Sequence, residues 1–138
     1  MNLVVDASIA LKWFVSEADS AAATSIRLEH DLAAPDLILI ECRNALLNKV
    51  RRGEIDAAQA MAAEAEISAI QMAIVPSAAH LSSAFALALE LKEPIYDCLY
   101  LAMAIATGWT LVTADRSFVT ATRNSRIKSV GVKLLSEL

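Results

Sequence analysis

Residues 3–8 read LVVDAS, and residues 110–115 read TLVTAD. In both, aliphatic residues of strand type run into an aspartate: Leu3, Val4 and Val5 lead to Asp6, and Leu111 and Val112 lead through Thr113 and Ala114 to Asp115. Helical patterns alternate with such short apolar runs along the chain, which indicates an α/β domain: a central, mainly parallel sheet flanked by helices on both faces. Ligands of such folds bind beyond the carboxyl ends of the strands. The two stretches therefore place two acids at one rim.

Outward from these strands, residues 9–15 predict a short helix and residues 20–30 a second. APDLILIECRNALLNKVRRG, residues 34–53, reads as a helix announced by Pro35 and Asp36 and closed by Gly53 after the basic pair Arg51 and Arg52, which suits the negative end of a helix dipole. Residues 55–72 are alanine-rich with helical spacing, Ile74 and Val75 form a short strand before Pro76, and residues 77–92 are helical until Pro94. A further helix runs over 95–108 to Gly108, a short one over 116–123, and VGVKLL at 130–135 reads as a last strand.

The 138 residues suit one domain, expected over 1–138, that buries roughly two-thirds of the surface its unfolded chain exposes. Apolar residues make up 57% and aromatics 5%, so aliphatic strands and close-packed helices should build the core. No apolar run approaches the ~18–20 residues that span a bilayer, and no basic-then-apolar leader opens the chain. No membrane partner is expected, and the expected location is the cytoplasm. Cys42 and Cys98 lack the CxxC spacing of zinc or redox sites and read as small buried hydrophobes. His30 and His80 are isolated and read as surface or interface residues, not metal ligands.

Two more acids stand in apolar surroundings. Glu41 lies within LILIEC, and on a helix it shares a narrow polar stripe with Asn44 and Asn48. Asp97 opens PIYDCLYLAMAIA, a helix apolar nearly all round, and no lysine or arginine occurs between Pro94 and Arg116 to pair with it. Each aspartate also has a structural reading as a turn residue or helix cap, and the polar stripe as a solvated face.

If Asp6, Glu41, Asp97 and Asp115 converge, they repel, and some must take up protons unless a cation intervenes. Mg²⁺ or Mn²⁺ prefers oxygen ligands, keeps several waters and is held by a few carboxylates together with substrate phosphates. Ser8 and Thr113 are placed to add hydroxyl contacts, and Asn44 to orient Glu41. Such a site suits attack of a metal-activated water on phosphorus. The net charge of −4 does not oppose a nucleic-acid partner: without these four, twelve acids face twelve Lys plus Arg. The stretch from Arg116 is basic, with Arg123, Arg126, Lys128 and Lys133 against Glu137. Lys12, Lys49 and Arg116 are candidate phosphate contacts.

Four stretches in order, VVDAS, PDLILIECRNALL, YDCLYLAMA and LVTADRSF, resemble the PIN-domain ribonucleases, and more closely the VapC toxins of prokaryotic toxin–antitoxin pairs. The resemblance implies a PIN-like fold and a metal-dependent endoribonuclease acting as a toxin. It implies that Asp6, Glu41, Asp97 and Asp115 are the catalytic quartet that binds Mg²⁺ or Mn²⁺, supported by Ser8, Asn44 and Thr113. It further implies an RNA substrate, a homodimer, and a VapB-like antitoxin whose extended C-terminal segment blocks the site. Trp13, Phe14 and the early helices are candidate contacts for such partners, with core packing the first reading of any one of them.

Other readings fit less well. A haloacid-dehalogenase-type phosphatase needs an aspartate two positions after the first, where Ser8 stands, and the Asp56 that a receiver domain would use lies at a helix start. A non-catalytic RNA- or protein-binding module, its acids holding one structural metal, remains the alternative to an enzyme.

Overall fold

In a computed structural model that describes residues 1–127 and 131–138, five strands form one sheet in the order β3-β2-β1-β4-β5, with every pairing parallel. The strands are β1 (Asn2–Val5), β2 (Asp31–Pro35), β3 (Ala73–Val75), β4 (Thr110–Thr113) and β5 (Val132–Leu134). Between them run α1 (Ala7–Phe14), α2 (Ser20–Glu29), α3 (Leu37–Arg51), α4 (Ala57–Ser68), α5 (Leu81–Leu91), α6 (Ile95–Thr107) and α7 (Arg116–Arg123). The chain steps from β1 to β2 to β3 in one direction and then returns past β1 to β4. Right-handed crossovers therefore put α1–α4 on one face and α5–α6 on the other.

The strand order reverses between β1 and β4, which pair Val4 with Leu111 and Val5 with Val112. That reversal opens the crevice in which open α/β sheets bind ligands. Leu3, Val4, Val5, Leu111, Val112 and Thr113 are all buried, because helices cover both faces at the centre of the sheet. The sequence thus puts continuous apolar runs where two-sided burial demands them.

Strand β2 was not expected. Its sequence, DLAAP, is short and carries two alanines and a proline, a poor strand signature. It forms because it is hydrogen-bonded between β1 and β3, where Leu32, Ala33, Ala34 and Pro35 are buried. Three helical spans are shorter than their patterns suggest. Helix α3 stops at Arg51, α4 stops at Ser68 before a turn, and residues 77–80 form a 3₁₀ turn ahead of α5. The last strand is Val132–Leu134; Val130, expected to begin it, and Lys128 lie outside the described residues.

Asp56 caps α4 in a reciprocal capping box. The Gln59 amide donates to its side chain at 2.8 Å, and the Asp56 amide donates to the Gln59 side chain at 2.9 Å. It is an exposed helix cap, as its position suggested. Trp13 and Phe14, read as core residues before partner contacts, pack inward. They meet edge to face with centroids 6.2 Å apart, and the Trp13 indole donates to the Ala23 carbonyl at 2.8 Å, tying α1 to α2. The exposed large apolar side chains lie elsewhere, among them Leu81, Phe85 and Leu89, one turn apart on α5.

Candidate functional site

Asp6 ends β1 and caps α1. Its Oδ1 accepts from the Ile9 amide at 3.3 Å and from the Ser8 hydroxyl at 2.5 Å. Ser8 Oγ in turn accepts from the Ala114 amide at 3.0 Å, so one hydroxyl ties the ends of β1 and β4 together. Asp115 repeats the arrangement at α7, its Oδ1 accepting from the Phe118 amide at 3.1 Å and the Ser117 hydroxyl at 2.7 Å. Thr113, buried at the end of β4, accepts from the Asp115 amide at 3.1 Å. Both aspartates are thus helix caps through Oδ1.

Glu41 comes from α3 and is held by a residue that sequence reasoning missed. The Tyr100 hydroxyl, from α6, donates to Glu41 Oε1 at 2.6 Å. A buried tyrosine needs an acceptor for its hydroxyl, and Tyr100 is the polar group within the buried run Cys98–Ala104. That was the signal in the sequence. Asn44, expected to orient Glu41, makes no hydrogen bond to it and is exposed in the cleft alongside. Asp97 sits in the first turn of α6 and, among the described residues, makes no side-chain hydrogen bond.

Electrostatics links the four acids. Burial raises Asp6 from an ordinary 3.8 to about 6, with the Ser8 and Thr113 hydroxyls pulling the other way. Burial also raises Asp97 from 3.8 to about 6, and the charges of Asp6, Asp115, Glu41 and Glu93 add to the rise. Glu41 is raised by burial against the opposing pull of Tyr100. Among the described residues, none of the four acids takes part in an ion pair. Cys42 and Cys98 are buried free thiols, pushed up to about 12 and about 11, mainly by burial, and so are not poised to react.

As the side chains stand, no three His, Cys, Asp or Glu among the described residues are gathered closely enough to enclose a metal ion. Still, the oxygen-only donors carry uncompensated negative charge in a partly dry place. That set fits a hard cation held by one or two carboxylates and its own waters.

The candidate phosphate contacts fare unequally. Lys49 Nζ pairs with Glu17 at 3.0 Å and Glu54 at 3.2 Å, with its side chain 12% exposed. Lys12 Nζ donates to the Ala18 carbonyl at 2.9 Å. Both are engaged in holding the early helices. Arg116, next to Asp115, is exposed and takes part in no ion pair among the described residues.

The PIN-domain family model matches residues 3–124. This chain belongs to the PIN-domain family. Its relatives include Ribonuclease VapC3 of Pyrobaculum aerophilum, 35% identical over 119 residues, which cover 84% of this chain and 91% of that protein. The fold of this PIN domain also matches the crystal structure of Mycobacterium tuberculosis VapC20, a sarcin-ricin loop cleaving toxin. There the TM-score is 0.68 at 16% identity, covering 91% of this chain and 97% of that one. A third likeness is to VapBC2 of Rickettsia felis bound to a promoter DNA fragment, with TM-score 0.65 at 17% identity, covering 97% and 98% of the two chains. No helix among the described residues is long and apolar enough to cross a membrane.

Proposed function

We propose that this PIN domain, spanning residues 1–138, is a Mg²⁺- or Mn²⁺-dependent endoribonuclease acting in the cytoplasm as the toxin of a toxin–antitoxin pair. The observation that supports the reading is that Asp6 and Asp115 cap the helices following β1 and β4, where the strand order reverses, and that the charges of Asp6, Asp115 and Glu41 help raise Asp97, in a chain 35% identical to Ribonuclease VapC3. Asp6, Glu41, Asp97 and Asp115 would hold the metal. When bound, it supplies a water of lowered pKa and offsets the charge of the phosphodiester. Ser8 and the Ile9 amide fix Asp6, Tyr100 fixes Glu41, and Ser117 fixes Asp115, so three of the acids present a constrained carboxylate. Water attacks phosphorus and one P–O ester bond breaks. Arg116 is suited to meet a substrate phosphate.

A VapB-like antitoxin is the expected partner, supported by the fold likeness to VapBC2. Homodimerisation is supported by the exposed apolar stripe Leu81, Phe85 and Leu89 on α5. Incubating the purified protein with RNA in Mn²⁺ and in EDTA tests the enzymatic reading: cleavage in Mn²⁺ alone is expected, and cleavage unaffected by EDTA would exclude the metal.

A further inference from the structure

Among the described residues, Phe85 and Tyr96 are the only aromatic side chains more than half exposed, Tyr96 at 58%. Phe85 belongs to the apolar stripe on α5. Tyr96 stands directly before Asp97 and lines a cleft of about 510 Å³ together with Ser8, Glu41, Ile40, Asn44 and Asn48. An aromatic face is thus left in solvent next to Asp97 and in one cleft with Glu41.

We propose that Tyr96 is a stacking platform for an RNA base next to the cleaved phosphodiester, and that Asn44 and Asn48 read that base's edge. This rests on the ribonuclease reading. Asn44 and Asn48 are four residues apart on α3 and so lie on the same side of the helix. The Asn44 carboxamide offers both donors and an acceptor, the combination that a base edge requires, and Asn48, whose Oδ1 accepts from the exposed Arg51 at 3.3 Å, keeps its amide donors. Among the described residues no lysine or arginine lines the cleft, and Lys12 and Lys49 are engaged elsewhere. The group held there is therefore the base, not the phosphate. Stacking needs an unpaired base with an open face, so the strand must be single-stranded or looped at this point.

The test is binding of 5′-fluorescent rA₆, rU₆ and a fully abasic six-unit ribose phosphate, followed by anisotropy in Ca²⁺. Wild type, Tyr96→Phe and Tyr96→Ala are compared, with cleavage of bulk RNA in Mn²⁺ run alongside. Tyr96→Phe should bind the hexamers within about twofold of wild type. Tyr96→Ala should bind them roughly 5- to 100-fold more weakly, the range seen for one lost base stack. The abasic chain should not distinguish the proteins. Hexamer affinity equal in wild type and Tyr96→Ala, or equally weak in Tyr96→Phe and Tyr96→Ala, overturns the stacking role and leaves the ribonuclease reading intact. So does bulk cleavage by a wild type that binds no hexamer. A wild type that neither cleaves nor binds RNA overturns both.

Discussion

Tyr100 and Glu41 come from helices α6 and α3, 59 residues apart in sequence, and meet in a hydrogen bond of 2.6 Å. The hydroxyl pulls Glu41 down against the effect of its burial. Tyr100→Phe keeps the buried ring and removes only that restraint. We expect a loss of about 10- to 100-fold in activity or metal affinity, the usual effect of removing a group that orients a ligand. Cleavage rates over a Mn²⁺ titration check this, and an unchanged titration curve would remove Tyr100 from the site.

Metal-free stability should depend on pH with a definite sign. Asp6 and Asp97 stand at about 6 in the folded chain against 3.8 as ordinary carboxyls. The native state therefore holds more protons than the unfolded one between these values, and stability falls as pH rises from about 4 through about 6. Above that window the loss is complete. Asp97→Asn, which breaks no side-chain hydrogen bond among those described, should raise the melting temperature by roughly 3–8 °C at pH 7.5 in EDTA. At pH 4 it should have little effect. Thermal melts of both proteins across pH decide it.

Binding of Mn²⁺ to the native state alone should raise the melting temperature of the wild type at pH 7.5. At a hundredfold excess over the dissociation constant the gain is about 2.7 kcal/mol. The shift should shrink at pH 5.5, where protons compete for the carboxylates, and should shrink again in Asp97→Asn. Identical melts in EDTA and excess Mn²⁺ would count against a metal at these acids.

Lys49 and Arg116 should separate stability from activity. Lys49 bridges Glu17 and Glu54 with little exposure, so Lys49→Ala should lower the melting temperature by a few degrees, roughly 1 kcal/mol, and leave cleavage per folded molecule unchanged. Arg116→Ala should weaken cleavage and leave the melt alone. Parallel melts and rates would expose the reverse assignment.

Sequence legibility followed two-sided burial and failed where neighbours decide. LVVDAS and TLVTAD announced β1, β4 and both rim acids because buried parallel strands need unbroken apolar runs. DLAAP gave no such signal: β2 owes its conformation to hydrogen bonds with β1 and β3, which lie far along the chain. Asp97 was conspicuous as an acid in an apolar helix, yet the group that holds Glu41 was assigned to Asn44 on the same helix. The actual donor, Tyr100, arrives from another element, and helical spacing within α3 cannot reveal it. Trp13 and Phe14 left two readings open for a related reason, since an aromatic pair near the start of a chain reads the same in a core as in an interface, and the structure bears out the core.

The most direct test of the central claim is RNA cleavage by wild type and Asp6→Asn side by side, each with Mn²⁺ and with EDTA. The account predicts cleavage by the wild type in Mn²⁺ and by neither protein otherwise, with Asp6→Asn folded. Cleavage by Asp6→Asn at the wild-type rate would contradict it.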